Sequence, residues 1–148
     1  TGENGAFQVK VFSKYAIIGH SERKEPIEVV IRKRDLCLKE KLTPIVCFVS
    51  PSDLLRLYKD GCIMAWEDPQ NISVNGMYRS EDPAKISAIT QEIRKIIPPE
   101  AKLIYGGSVN ERNVAAISRI NELDGVLVGN ASLDPEIFAT LIRYFVQD

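Results

Sequence analysis

Short apolar runs punctuate the chain, and between them apolar residues return at roughly every third or fourth position. The runs show no polar alternation, which is typical of strands covered on both faces in a parallel sheet. The spaced residues are typical of helices with one buried face. The pattern therefore predicts alternating strands and helices, with strands over residues 15–18, 43–48, 62–66, 102–105 and 126–128.

Helix start signals and apolar stripes predict the segments between the strands. Residues 27–41 mix charged and apolar residues at helical spacing, and Asn110 is a candidate cap for a further helix. An N-cap residue followed by proline opens three other helices, at residues 50–51, 82–83 and 134–135. The side chains expected to face the core are Ile86, Ile89, Ile93 and Ile96 in one helix, and Phe138, Leu141, Ile142 and Phe145 in the last.

Five strands interleaved with helices predict parallel βα units joined by right-handed crossovers, which is an α/β fold. The chain has 148 residues, of which 45% are hydrophobic, so it can bury one core. No low-complexity linker divides it. We therefore expect a single domain over residues 1–148.

Charge and composition exclude several classes of function. A net charge of -1 and a pI near 5.9 provide no basic field for nucleic acid or an anionic membrane. No apolar run approaches a membrane span and no signal pattern opens the chain, so we expect a cytoplasmic protein. Cys37, Cys47 and Cys62 form no Cys-x-x-Cys and are expected to be reduced core thiols. With one histidine and scattered cysteines, no metal site is expected.

That histidine, His20, follows the first predicted strand. Gly19 allows a tight turn there, so His20, Ser21 and Glu22 arrive together at the carboxyl end of the strand, where α/β folds place ligand chemistry. A lone histidine is more often structural than catalytic, and on its own His20 leaves both interpretations open.

Three stretches together resemble one known family. Ile-Ile-Gly-His-Ser-Glu-Arg at 17–23 resembles the signature around the electrophilic histidine of the triosephosphate isomerases. Tyr-Gly-Gly-Ser-Val at 105–109 resembles the phosphate loop after their seventh strand, and 124–133 resembles their eighth strand and the following loop. Residues 1–3 resemble the tip of the third loop, where subunits meet. The resemblance implies a partial (β/α)8 TIM barrel whose strands are equivalent to strands 4 to 8.

The resemblance also implies an activity. Enzymes of this family interconvert glyceraldehyde 3-phosphate and dihydroxyacetone phosphate in glycolysis and gluconeogenesis, by proton transfer through an enediolate, without a cofactor and as homodimers. Glu67 matches the catalytic base, His20 the electrophile, and Glu22 a glutamate that supports the site. The alternatives are that Glu67 is an exposed loop carboxylate or a helix cap, and that Glu22 pairs with Arg23 or a neighbouring unit.

Four further positions match the phosphate contacts of the family: Ser73, Ser108, Gly129 and Asn130. Glycine-rich loops after successive strands expose backbone N–H groups to an anion. Asn130 replaces the usual glycine, although asparagine tolerates positive φ better than most residues. The proline that leads the hinge of the active-site lid is shifted by one position here, to Pro69.

The resemblance covers five βα units, whereas a closed barrel has eight. It begins after the third strand of the family, and no counterpart of the first-strand Asn-x-Lys is present. Two interpretations remain open. The chain could act as an isomerase when a complementing N-terminal barrel segment is present, or it could be a non-catalytic half-barrel that binds phosphate or pairs with another half-barrel.

Overall fold

The computed structural model describes residues 4–68 and 82–146. Within them the strands are β1 (Tyr15–Ile18), β2 (Thr43–Phe48), β3 (Ile63–Trp66), β4 (Lys102–Tyr105) and β5 (Gly125–Val126). They form one sheet in the order β1-β2-β3-β4-β5, and every neighbouring pair is parallel. The expected α/β fold of repeated βα units is therefore confirmed.

The α-helices of the described residues are α1 (Ala6–Val9), α2 (Ile27–Lys39), α3 (Pro51–Leu57), α4 (Pro83–Arg94), α5 (Val114–Ile117) and α6 (Pro135–Arg143). Helices α2 to α5 connect consecutive strands. The sequence pattern did not predict α1, because four residues are too few to show a helical period. Helix α2 ends two residues before the predicted boundary, since Lys41 adopts a left-handed φ of 62°.

One face of the sheet carries the core. Ile18, Val46, Met64 and Leu103 lie side by side in register, all are buried, and they belong to one cluster with apolar side chains of α2, α3 and α4. Successive residues of a strand point to opposite faces. On the opposite face Ile17 is 54% exposed, so at β1 that face is only partly covered.

The carboxyl ends of the strands lie at a common rim. The Glu67 N–H donates to the Phe48 carbonyl, and the Gly106 N–H donates to the Trp66 carbonyl, each at 2.8 Å. These bonds extend the sheet by one residue beyond β3 and β4. They place Glu67 and Gly106 next to each other at the rim.

The predicted helix starts have mixed outcomes. Side-chain caps are confirmed at Ser50, Asp82 and Asp134. Asn110 makes the side-chain bond expected of a cap, since its Oδ1 accepts the Arg112 N–H, but α5 begins only at Val114 and its N-cap is Asn113. Strand β5 is shorter than predicted, since the sheet pairs only Gly125 and Val126 with the end of β4.

The predicted inner face of α6 was partly wrong. Leu141 is buried and Phe145 packs against the core, as expected. Phe138 and Ile142 are 37% and 44% exposed, and Ile137 packs inward instead. Ile137, Leu141 and Phe145 recur every four residues and so form one stripe, which turns the residues immediately after Ile137 and Leu141 away from it.

Candidate active site

Gly19 turns the chain at the end of β1. Its φ of 71° is left-handed, and a Cβ there would lie 2.8 Å from Cγ1 of Val30 and 3.1 Å from the Cys47 carbonyl oxygen. Glycine satisfies both constraints, because it lacks the Cβ and adopts positive φ freely. His20 follows at once and opens a 3-10 helix over Ser21–Arg23.

Glu67 and His20 are in direct contact. Oε1 of Glu67 lies 2.9 Å from Nε2 of His20, and its Oε2 accepts the Ser21 N–H at 2.9 Å. The Glu67 side chain is 2% exposed, whereas that of His20 is 33% exposed. The interpretation of Glu67 as an exposed loop carboxylate is therefore wrong. The structure brings together the two residues to which the resemblance assigns the chemistry.

The two partners of His20 indicate which ring nitrogen carries the proton. Nδ1 accepts the backbone N–H of Glu22 at 3.4 Å, so it has no proton of its own. In a neutral ring the proton then lies on Nε2, the nitrogen that is 2.9 Å from Oε1 of Glu67. His20 is the N-cap residue of the three-residue 3-10 helix over Ser21–Arg23.

Burial dominates the electrostatics of Glu67. Removal from water disfavours the charged form and raises the pKa of the carboxyl, and the hydrogen bond from the Ser21 N–H and the adjacent His20 ring offset part of this shift. The Cys47 thiol also lowers the pKa of Glu67 a little. Burial raises the pKa of the Cys47 thiol, and the neighbouring carboxylate raises it further. Cys47 therefore stays neutral.

Glu22 lies at the edge of the site. Its side chain is 72% exposed, and its Oε2 lies 3.9 Å from His20 Nδ1. Arg23 directs its Nε to Oε1 of Glu25 at 3.3 Å. The closest contact of Glu22 with His20 is therefore made by its backbone N–H. Ser73, the fourth phosphate candidate, lies outside the described residues.

The first predicted phosphate loop touches Glu67. A Cβ on Gly106 would lie 3.3 Å from Cγ of Glu67, so the backbone passes close to this side chain. Ser108, two residues later, has a left-handed φ of 44°. Among described residues other than glycine, positive φ occurs at Lys24, Lys41 and Ser108. Asn130 therefore does not need the positive φ that we expected it to tolerate.

The second predicted phosphate loop lies beside the first. Gly129 precedes a 3-10 helix over Asn130–Leu133, and its carbonyl accepts the Ser132 N–H and hydroxyl. Asn110 and Arg112, which follow the first loop, and Asn130 from the second loop line one cleft of about 500 Å³. The two loops are thus neighbours at the rim of the sheet.

Sequence reasoning missed two residues of the site. Ser21 contributes its backbone N–H to Glu67, and Cys47 contributes its thiol. A backbone donor leaves no mark in the sequence. The signal for Cys47 was its place near the end of β2, where its in-register partner is Ala65, two residues before Glu67.

The other predictions about cysteine chemistry agree with the structure. Cys37, Cys47 and Cys62 are all free and buried, as expected of core thiols.

Over residues 4–68 and 82–146, no group of three or more metal-ligating side chains comes together. No helix in the same ranges is long and apolar enough to cross a membrane.

Comparison with known proteins identifies the family. The sequence model of the triosephosphate isomerase family matches residues 1–145. The triosephosphate isomerase of Mycobacterium tuberculosis strain H37Rv is 33% identical over 172 aligned positions, and that of Mycobacterium avium strain 104 is 31% identical over 172. Each alignment covers 95% of this chain but only 66% of the relative. The chain, with its five parallel βα units of a partial TIM barrel, belongs to the triosephosphate isomerase family.

Proposed function

We propose that this chain forms the catalytic part of a triosephosphate isomerase, which interconverts glyceraldehyde 3-phosphate and dihydroxyacetone phosphate without a cofactor. The observation that carries the proposal is the contact between Glu67 and His20, in which a buried carboxyl oxygen lies 2.9 Å from Nε2 of the imidazole ring. A glutamate base paired with a neutral histidine electrophile is the established chemistry of the triosephosphate isomerases. For this chain the assignment rests on the family match and on the observed contact.

The proposed reaction moves one proton between adjacent carbons. Glu67 accepts the proton from the carbon next to the carbonyl, and the electrons of that C–H bond form the C=C bond of the enediolate. The Nε2–H of His20 donates a hydrogen bond to the oxygen on which negative charge develops. Glu67 then returns the proton to the neighbouring carbon, while the hydroxyl proton of the first carbon passes to the former carbonyl oxygen, so that the carbonyl and hydroxyl groups exchange places. The raised pKa of Glu67 suits this role, since a base of higher pKa accepts a carbon-bound proton more readily.

Substrate binding must rearrange the contact between the two residues. Oε1 of Glu67 and Nε2 of His20 each occupy the position that a reacting group of the substrate would need. The carboxylate therefore has to leave His20 before it can take a proton from carbon. The hydrogen bond from the Ser21 N–H holds the Glu67 carboxylate beside His20 until the substrate displaces it.

Backbone amides are proposed to anchor the substrate phosphate. Ser108, Gly129 and Asn130 lie on two neighbouring loops at the rim, and Gly106 of the first loop contacts Glu67. Such loops bind anions through N–H groups. Ser73 is proposed as a further contact from its position in the sequence. Glu22 is proposed to support His20 from the exposed side of the ring.

Complementation is part of the proposal. The chain spans 66% of the length of its curated relatives, and its sequence has no counterpart of the lysine that the family uses to contact substrate. A preceding barrel segment would provide this lysine and close the barrel. We further propose that the complete enzyme is a cytoplasmic homodimer of glycolysis and gluconeogenesis. The second candidate, favoured by the same 66% coverage, is a non-catalytic half-barrel that binds phosphate.

An isomerase assay distinguishes these candidates. The 148-residue polypeptide is assayed alone and with a fragment that supplies the first three βα units of a mycobacterial relative. We expect little activity from the polypeptide alone. Without the lysine that the family uses, the phosphate dianion loses a charge-assisted contact of about 1.5 to 3 kcal/mol. Activity should appear with the fragment. No activity in a complemented, monodisperse complex would favour the half-barrel.

The role of Glu67 is tested in the complemented protein. Glu67→Asp withdraws the carboxylate by one methylene, and misplacements of this size reduce turnover about 10²-fold. Glu92→Asp, the same change in an exposed residue of α4, should leave turnover unchanged. A loss of less than about tenfold in Glu67→Asp would remove Glu67 from the role of base.

A further inference from the structure

Ser108 has an uncommon backbone conformation for its residue type. Its φ of 44° is left-handed, a region that costs a residue with a side chain on the order of tenfold in population. Glycine would adopt the same conformation freely. The surrounding structure must therefore hold Ser108 in place.

Two asparagines hold it through one atom. Nδ2 of Asn110 and Nδ2 of Asn113 both donate to the Ser108 carbonyl oxygen, at 2.9 and 3.1 Å. A carbonyl oxygen has two lone pairs, and both are used here by side-chain amides. The position of this oxygen fixes the plane of the peptide that joins Ser108 to Val109.

The acceptor oxygens of the same asparagines fix the asparagines themselves. Oδ1 of Asn113 accepts the Asn110 N–H at 2.8 Å, and Oδ1 of Asn110 accepts the Arg112 N–H at 2.9 Å. Asn113 is buried at 7% exposure, and Val109, which directly follows Ser108, is buried in the core. We call Asn110 and Asn113 the amide clamp.

We propose that the amide clamp positions Ser108 for binding of the phosphate group of the substrate. The inference rests on the proposed function, because it assumes that Ser108 contacts phosphate. The clamp holds the Ser108 carbonyl on one side of the loop. Because the peptide is trans, the N–H of Val109 in the same peptide points to the other side. Asn110 and Asn113 are therefore positioning residues, which act on the anion through the backbone of Ser108.

The expected effect follows from the population of the competent loop. When only a fraction of molecules has the binding conformation, the apparent dissociation constant rises by the inverse of that fraction. Asn113→Leu removes both the donor and the acceptor of the Asn113 side chain while keeping a similar shape. We expect it to weaken binding of inorganic phosphate by roughly tenfold, the cost of the left-handed conformation at Ser108.

Glycine at position 108 provides a specific rescue. Ser108→Gly needs no clamp to adopt positive φ, although it loses the hydroxyl group. The double variant Ser108→Gly/Asn113→Leu should therefore bind phosphate as tightly as Ser108→Gly alone. A general loss of stability at position 113 would not be corrected in this way, so the rescue separates positioning from folding.

The experiment is a titration of the 13C,15N-labelled 148-residue chain, with and without the complementing fragment, with inorganic phosphate at constant ionic strength. Backbone amide shifts report binding, and the Cα and Cβ shifts of residue 108 report its φ. Asn121→Ala, a change in an exposed asparagine outside these loops, is the matched control and should bind as the parent chain does. If Asn113→Leu gives no folded spectrum, Asn110→Ala takes its place, since it removes one clamp donor and leaves Asn113 intact.

The outcomes separate the two proposals. Weaker binding in the clamp variant together with recovery on Ser108→Gly supports the clamp. Unchanged binding in the clamp variant, or weakened binding that Ser108→Gly does not recover, overturns it. Absence of any phosphate response at Ser108 in the complemented parent protein overturns the proposed phosphate site, and the clamp role with it.

Discussion

Burial of Glu67 connects reactivity to stability at the level of one residue. Its side chain is 2% exposed, and burial raises the pKa of the carboxyl above its usual 4.5. A buried charge is costly unless its partners compensate, and here the Ser21 N–H and His20 compensate only in part. A buried carboxylate of raised pKa accepts a proton more readily. Its burial also reduces the free energy of unfolding near neutral pH.

The pH dependence of stability tests this interpretation. Below pH 4.5 both the folded and the unfolded chain hold the proton; above it the unfolded chain releases the proton first, because the folded pKa is raised. The unfolded state then binds fewer protons, so the contribution of Glu67 to the free energy of unfolding falls as pH rises through this window. Glu67→Gln cannot titrate and should become progressively more stable relative to the parent chain from pH 4.5 upward.

Urea denaturation across this pH range measures the difference between the two chains. Taking the difference removes the contribution of the other carboxyls, several of which, such as Glu28 and Asp35, have lowered pKa values through hydrogen bonds from Arg56 and Lys59. A difference that is constant with pH, or that changes in the opposite direction, would contradict a raised pKa at Glu67.

Between secondary-structure elements, two arginine side chains join helices to their neighbours through hydrogen bonds. Nη1 of Arg34, on α2, donates to the carbonyls of Arg56 and Leu57 at the end of α3, at 2.9 and 2.8 Å. These carbonyls lie in the last turn, where a helix has no partners of its own to offer. Arg94, at the end of α4, likewise donates to backbone carbonyls that lie just before β4 and β5. One planar fork of donors can serve several acceptors, which lysine cannot match.

Arg94→Met tests this fastening. It removes donors to the Glu122 carbonyl, the Ala101 carbonyl and the Asp124 carboxylate, at 2.8, 2.6 and 2.6 Å. We expect a loss of about 2 kcal/mol in the free energy of unfolding, because partly buried acceptors lose their partners. Lys95→Met, the adjacent residue in an exposed pair with Glu92, should change it little. Equal effects of the two variants in urea denaturation would contradict the fastening role.

Elements were predictable from the sequence where local chemistry decides them. The caps at Asp82 and Asp134 and the strand at 43–48 follow from neighbouring residues, and all were confirmed. Asn110 makes the local bond expected of a cap, but the α-helix begins only at Val114 because residues 111–113 form turns. Burial at Phe138 depends on which elements cover α6, and the helical period alone does not determine it.

The site shows the same division between local and tertiary information. His20 and Glu67 were found because their surroundings in the sequence match a family signature, and the structure places them 2.9 Å apart. The roles of the Ser21 N–H and the Cys47 thiol depend on distances between strands that lie far apart in the sequence. No period or cap signal encodes those distances.

At the scale of the whole molecule, both edges of the sheet are apolar. Strand β1 ends the sheet on one side, where its own side chains Tyr15 and Ile17 are exposed. Strand β5 ends it on the other, and α6, which follows β5 in the chain, exposes Phe138 and Ile142. Unpaired strand edges next to apolar side chains favour association with another chain.

We therefore predict that the 148-residue polypeptide self-associates and becomes monodisperse when a fragment with the first three βα units of a relative occupies both edges. Ile17→Lys puts a charge at the β1 edge and should reduce self-association, as charged residues do at natural edges. Leu55→Lys makes the same change at an exposed position of α3, away from either edge, and should not. Light scattering of each variant, with and without the fragment, measures the mass. A stable monomer that melts cooperatively and does not respond to the fragment would mean that the five βα units cover their own edges, and in that case neither complementation nor a closed eight-stranded barrel would be needed to explain the fold.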